Sequence, residues 1–165
     1  IIDRTRQLHE KGKPKEVLTV DNHADGPYLY LRLMKENPAR AAEVLELLEM
    51  NEGNSSGRGI GCVSWDGEVY ADQFWRHHSF GNVTQRPFSE IWTDTSEPLM
   101  MRLKEKKNHV TGRCAGCLWL NVCGGNFRVR AAAVTGDVWA PDPACYLTDE
   151  EIADAAAAGQ RCDVG

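Results

Sequence analysis

Four cysteines in the order C-x2-C-x5-C-x21-C constrain this chain more than any other feature. Cys114, Cys117 and Cys123 fall in one short stretch, RCAGCLWLNVCGGN, so a single tight loop can aim three thiolates at one point. Cys145 arrives from WAPDPACY, a proline-bearing segment suited to bringing the chain back. Thiolate is the soft donor that suits iron–sulfur clusters and zinc.

Other readings of these residues are available. Six cysteines invite a disulfide framework. Against it stand the expected absence of a cleavable apolar leader and a length of 165 residues, enough to bury a core without staples. A redox Cys-x-x-Cys pair sits at a helix start after a strand and has no need of Cys123 or Cys145. Zinc is the stronger rival. Zinc ribbons and fingers offer two close ligand pairs, one per knuckle. Here one side supplies three thiols and the other a lone Cys145, which suits a cubane better.

The length fits one domain, or one and a fraction. A net charge of -5 argues against a surface that tracks nucleic-acid phosphates. The nearest approach to a basic run, Arg102, Lys104, Lys106 and Lys107, reads as a solvated helix face. No run of eighteen apolar residues occurs, so no membrane span is expected. Reduced thiols without a leader point to the cytoplasm. The chain opens with Ile1-Ile2-Asp3 and not with Met, and it is expected to be part of a longer protein.

Local signals divide the chain near residue 53. Val17 to Val20 reads as a short strand, followed by the polar turn DNHADG and an apolar segment that fits helix or strand. Asn37-Pro38 opens a helix that runs through Met50 and stops at Gly53. Residues 60–71 form a hairpin about Asp66-Gly67, the strongest local turn signal present. Helices are expected near 88–93 and over 97–106, the second behind Ser96 and Pro98. Another covers Arg128 to Val134. Thr148 and Glu151 make a capping box for a last helix over 149–158, with a fraying tail beyond.

The ordered series GEVY, DQFWRHHSFGNV, RPFSEIW, GRCAGCLWLNVCGGNFRVRA and Cys145 resembles the SPASM-type auxiliary-cluster domain of radical SAM enzymes. The resemblance implies an α+β fold. Residues 1–52 would be the end of a partial (β/α) barrel with its connecting helix, 53–152 the SPASM-like domain, and 153–165 a tail. It also implies that Cys114, Cys117, Cys123 and Cys145 bind an auxiliary [4Fe–4S] cluster. Full members hold a second auxiliary cluster, but three of its ligand positions here fall near Ser55, at Asp72 and at Phe127. That cluster is therefore expected to be absent. Cys62 reads as a small buried hydrophobe and Cys162 as incidental.

TVDNHADGPYLYLRL, YADQFWRHHSFGNV and GDVWAPDPACYLTDEEI resemble the tetrapyrrole branch of that superfamily. Its d1-type haem enzymes are implied to replace two propionates of 12,18-didecarboxysirohaem, and a sister enzyme of alternative haem synthesis to remove two acetates. The sequence reading favours the d1 reaction. Family members cleave S-adenosylmethionine at a cluster held by C-x3-C-x2-C, and no such motif occurs in these residues. S-adenosylmethionine, a second [4Fe–4S] cluster and the radical-initiating site are therefore expected upstream, and the chain alone should be inactive. A ferredoxin or flavodoxin would supply electrons.

A substrate with several carboxylates wants cationic partners. The candidates are Arg76, His77 and His78 after the hairpin, and Arg128 and Arg130 after Cys123. Each has an ordinary reading as a surface or structural pair. His23 fits a pocket role or a turn cap equally, and Trp75, Trp92, Trp119 and Trp139 read as core or cluster cover. A zinc-stabilised interaction module and a peptide-modifying enzyme of the same superfamily are the competing functions.

Overall fold

The segment that fitted either helix or strand is helical: apolar residues three and four apart put Pro27, Tyr30 and Leu31 on one buried face of α2, Asp25–Glu36. A computed structural model describes residues 1–153 of the chain. A first helix, α1 (Ile2–Glu10), precedes α2 and is tied to it by exposed pairs, Arg32 with Asp3 and Arg6 with Glu36. Such surface pairs contribute little individually. Asn37 ends α2 and caps α3 (Pro38–Asn51), its side-chain oxygen accepting from Arg40 N at 3.2 Å.

One expectation for this first part changes. Val17 to Val20 form no strand, and Leu18 is 89% exposed. A β-prone run with no neighbouring strand has no ladder to join. The first 53 residues contain helices and irregular segments only.

The hairpin is present but short. β1 (Cys62–Val63) pairs antiparallel with β2 (Val69–Tyr70), Cys62 opposite Tyr70. The chain then returns along the outer edge of β2, with Val69 N donating to Gly81 O at 2.8 Å and Phe80 N to Val69 O at 2.9 Å. Helices α4 (Phe88–Thr93) and α5 (Pro98–Lys104) follow. The cap of α5 is Glu97, not Ser96: its carboxylate accepts from Met100 N at 2.5 Å, while Ser96 turns back to Asp94. Lys106 also departs from the solvated face expected of it, being only 3% exposed.

After the cysteine loop come α6 (Leu120–Cys123), α7 (Arg128–Thr135) and α8 (Asp149–Ala153). Thr148 and Glu151 close the capping box reciprocally, at 2.8 and 3.2 Å. The remainder of the expected last helix, the tail and Cys162 lie outside the described residues.

Two apolar clusters organise these elements. One joins Tyr30, Leu31 and Ala41 of α2–α3 to Trp119, Val122 and Leu147 around the cysteine loop. The other gathers Ala71, Trp75 and Leu103 beneath the hairpin. The sequence boundary near residue 53 therefore crosses a shared core. At the crossing the backbones touch. A Cβ on Gly53, whose φ is +67°, would stand 2.2 Å from the carbonyl carbon of Cys123. Only glycine permits that approach.

Candidate metal centre

Each cysteine is presented by a turn that the local sequence dictates. Cys114 closes a single 3-10 turn, Gly112–Cys114, and its carbonyl accepts from Cys117 N at 3.2 Å. Cys123 ends the short α6, where Gly124 adopts the left-handed conformation and turns the chain away. Cys145 comes from the distant PDPAC stretch, and Asp142 brings it in. The buried Asp142 carboxylate accepts from Arg130 at 2.8 and 2.9 Å, from Phe127 N at 2.9 Å and from Ala144 N at 2.9 Å. One carboxylate thus ties the segment after Cys123 to the turn before Cys145.

All four cysteines line one pocket of about 370 Å³, counting the open space at its mouth. The five cysteines among the described residues are free thiols. No three ligating side chains there are gathered as for a single ion. A lone zinc would draw four sulfurs to about 2.3 Å from one point. Zinc and a [4Fe–4S] cluster both take four such thiolates.

The electrostatics match that donor set. Burial pushes the thiols of Cys117, Cys123 and Cys145 up, Cys123 to about 11. Backbone N–H groups two residues on, those of Trp119, Gly125 and Leu147, work the other way by bonding to each sulfur. Arg113 also favours the thiolates of Cys117 and Cys145. Thiols buried in this way ionise when a metal supplies the positive charge. Donated N–H bonds and nearby cations then stabilise the anionic site.

Lys106 reaches the same region from below. Its ammonium donates to the Asn54 carbonyl and, at 2.6 Å, to Asn54 Oδ1. Burial pushes it down to about 7, with Arg128 and Arg58 adding to the effect and Cys123 opposing it. Asn54 N in turn donates to Cys123 O at 3.1 Å.

The other candidate residues lie at separate places. Arg128 is 1% exposed and donates to the carbonyls of Gly125, Val138 and Ala140, an internal brace whose Nη groups are already used. Arg130 is engaged by Asp142 and by Asp21 O, yet its guanidinium also covers the Phe127 ring at 5.2 Å. Arg76 lies over Trp65, His77 stacks on Trp75, and His78 stands 3.4 Å from Glu97. None of these five lines the cysteine pocket.

Asp72 is buried and accepts from Ser56 Oγ and, at 2.7 Å, from Phe74 N. Phe74 packs edge-on against Phe127 at 5.5 Å. Two of the positions read as vacated ligands, Asp72 and Phe127, are thus linked through Phe74, and Ser56, one residue past Ser55, completes the set. Trp75 and Trp119 are core residues, and Trp119 Nε1 donates to Glu151 O at 2.7 Å. Sequence reasoning missed Asp142, the Lys106–Asn54 pair and the asparagines around His23. Each makes contacts across a dozen residues or more, and the proline-flanked Asp of PDPAC was the one local hint.

Residues 56–118 match SPASM, described as an iron–sulfur cluster-binding domain. The chain is a relative of proteins named as tetrapyrrole synthases, and part of it matches an iron–sulfur cluster-binding domain. It is 72% identical over 155 residues to an Fe-coproporphyrin III synthase of Methanosarcina barkeri, covering 92% of this chain and 39% of that protein. It is 42% identical to a pre-heme d1 synthase of Dinoroseobacter shibae, covering 86% of this chain and 35% of that one. An AdoMet-dependent heme synthase of Nitratidesulfovibrio vulgaris is 34% identical over 96 residues, 58% of this chain and 25% of that protein. The chain therefore spans less than two fifths of the length of these relatives. No solved structure matches it significantly. Among the described residues, no helix is long and apolar enough to cross a membrane.

Proposed function

We propose that this chain is the auxiliary-cluster part of a radical SAM enzyme acting on 12,18-didecarboxysirohaem, with Cys114, Cys117, Cys123 and Cys145 as ligands of one [4Fe–4S] cluster. The observation that carries the reading is the single pocket lined by all four thiols, two of which lie beyond the matched SPASM residues. Such a cluster can accept or deliver one electron, and its binding free energy also folds a loop-rich region. Around it the protein's own groups have defined tasks. Asp142 positions the Cys145 turn, three backbone N–H groups hold the sulfurs, and Arg113 balances negative charge.

Between the two sister reactions, the identities of 72% and 42% move the weight from the d1 reaction expected from sequence to acetate removal, leading to an iron coproporphyrin. S-adenosylmethionine, its own cluster, a barrel bearing both and a ferredoxin- or flavodoxin-type donor complete the proposed whole. The first test is anaerobic reconstitution followed by iron, acid-labile sulfide and zinc analysis. About four irons and four sulfides per chain support the cubane. One zinc without sulfide, in protein never exposed to oxygen, would instead establish a zinc-held module.

A further inference from the structure

Two asparagines fix the backbone around His23. Asn126 Oδ1 accepts from His23 N at 3.0 Å, Asn22 Oδ1 accepts from Ala24 N at 3.2 Å, and Asn126 Nδ2 donates to Asn22 Oδ1 at 2.8 Å. Asn22 Nδ2 reaches Ala144 O, beside Cys145, at 3.0 Å. The turn is thus capped by Asn22, which leaves the histidine ring without that task. Among the described residues the imidazole nitrogens make no hydrogen bond.

The ring is half-buried and stacked on Phe127, with centroids 5.7 Å apart and planes 21° from parallel. Its neighbours place it at the edge of the cysteine pocket, because Ala24 and Asn126 both line that pocket. Burial pushes the imidazole pKa down. Lys106 and Arg130 add to the effect, and Asp21 and Asp25 oppose it. That shift favours the neutral ring, whose unprotonated nitrogen offers a lone pair.

We propose that His23 is an axial ligand to the iron of the tetrapyrrole substrate, seating the macrocycle beside the cysteine pocket. The inference rests on the tetrapyrrole reading above. Imidazole nitrogen is a standard protein ligand of haem iron, and a neutral ring can bind without releasing a proton. The surroundings suit a flat, partly apolar guest. Phe127 and the Arg130 guanidinium back the imidazole, and Phe74, 42% exposed, offers a further apolar surface alongside Phe127. The asparagine pair spends its hydrogen bonds on the backbone of the loop, so the position of the ring is set before substrate arrives.

The test is a titration of the reconstituted chain with ferric coproporphyrin III and, separately, with metal-free coproporphyrin III. Wild-type protein should shift the ferric Soret band and give an electron-paramagnetic signature of nitrogen ligation. His23→Ala should bind the ferric porphyrin about tenfold more weakly, a loss of roughly 1.4 kcal/mol. It should lose the ligation signature and bind the metal-free porphyrin as wild type does. Added imidazole should restore the signature in His23→Gly. Unchanged cluster iron and sulfide in both variants will show that the fold is kept. An unaltered ferric signature in His23→Ala overturns the ligand assignment and leaves the tetrapyrrole reading standing. If wild-type protein binds neither porphyrin, the tetrapyrrole reading fails and this inference falls with it.

Discussion

The pocket of Cys114, Cys117, Cys123 and Cys145 and the nest around Asp72 are both loop-rich regions, and they are held by different chemistry. In the first, three thiols are pushed toward the neutral form by burial, and the proposed cluster would supply the positive charge that their ionised form needs. In the second, soft donors are missing where the resemblance places them. A buried Asp72–Ser56 hydrogen bond, the Phe74–Phe127 edge contact and the fully buried Trp75 stand in their place. The difference separates two ways of ordering a loop. One depends on a ligand and on redox conditions, and the other is permanent. A protein that, as proposed, holds one cluster and fills the other position with packing would keep an electron site and order the rest without metal.

Breaking the first region should have the largest effect. Cys117→Ala removes one of four thiols, and its iron content after reconstitution should fall from about four per chain to less than one. Protection against proteolysis should be lost over residues 110–147, because the cluster contributes to folding there. Full iron in this variant would remove Cys117 from the ligand set.

Gly53 joins the α2–α3 half to the cysteine loop, so Gly53→Ala tests whether the metal region folds independently of its neighbour. The new methyl would meet Cys123 backbone at 2.2 Å, with φ at +67°, and neither backbone can yield without displacing a ligand. A loss of about 3 kcal/mol is expected, together with lower iron occupancy. Denaturant melts of the iron-free and iron-loaded forms provide the comparison. Near-wild-type stability in both would show that the two halves are not coupled through this contact.

Asp72→Ala addresses the region that has no metal. It strips Ser56 Oγ and Phe74 N of a buried acceptor, and a loss of about 2–3 kcal/mol should follow while iron and sulfide stay at wild-type values. Loss of iron here would mean that the two regions are one unit, and the comparison drawn above would collapse.

How much of this was legible in the sequence follows the range of the interactions. The Asn37 cap, the Asp66-Gly67 hairpin, the Thr148–Glu151 box and the helix after Phe127 are short-range devices, and all stand where the residues put them. The cysteine spacing was readable as a candidate metal pattern because three of the four thiols are neighbours. What escaped was long-range. Lys106 looked solvated because its partner Asn54 lies 52 residues away, and Asp142 drew no reading because its partner Arg130 lies 12 residues back, in α7. Val17 to Val20 carried β propensity, but no propensity can supply a partner strand. Arg128 looked available to substrate because a sequence does not show that three backbone carbonyls converge on it.

Cys62→Ser should have the smallest effect and sharpens the comparison most cleanly. Cys62 is a thiol outside the four-cysteine pocket, half-buried on β1 opposite Tyr70, on the side of the molecule where packing is proposed to have taken the place of metal. If that exchange is complete, its sulfur acts as a small apolar group. Serine at this position should then cost about 1 kcal/mol or less and leave iron, sulfide and the cluster's electron-paramagnetic spectrum unchanged. A fall in cluster iron would instead bring Cys62 into the ligand set. The hairpin side would then have kept a soft donor, and the division between a metal-held and a packing-held region would have to be redrawn around it.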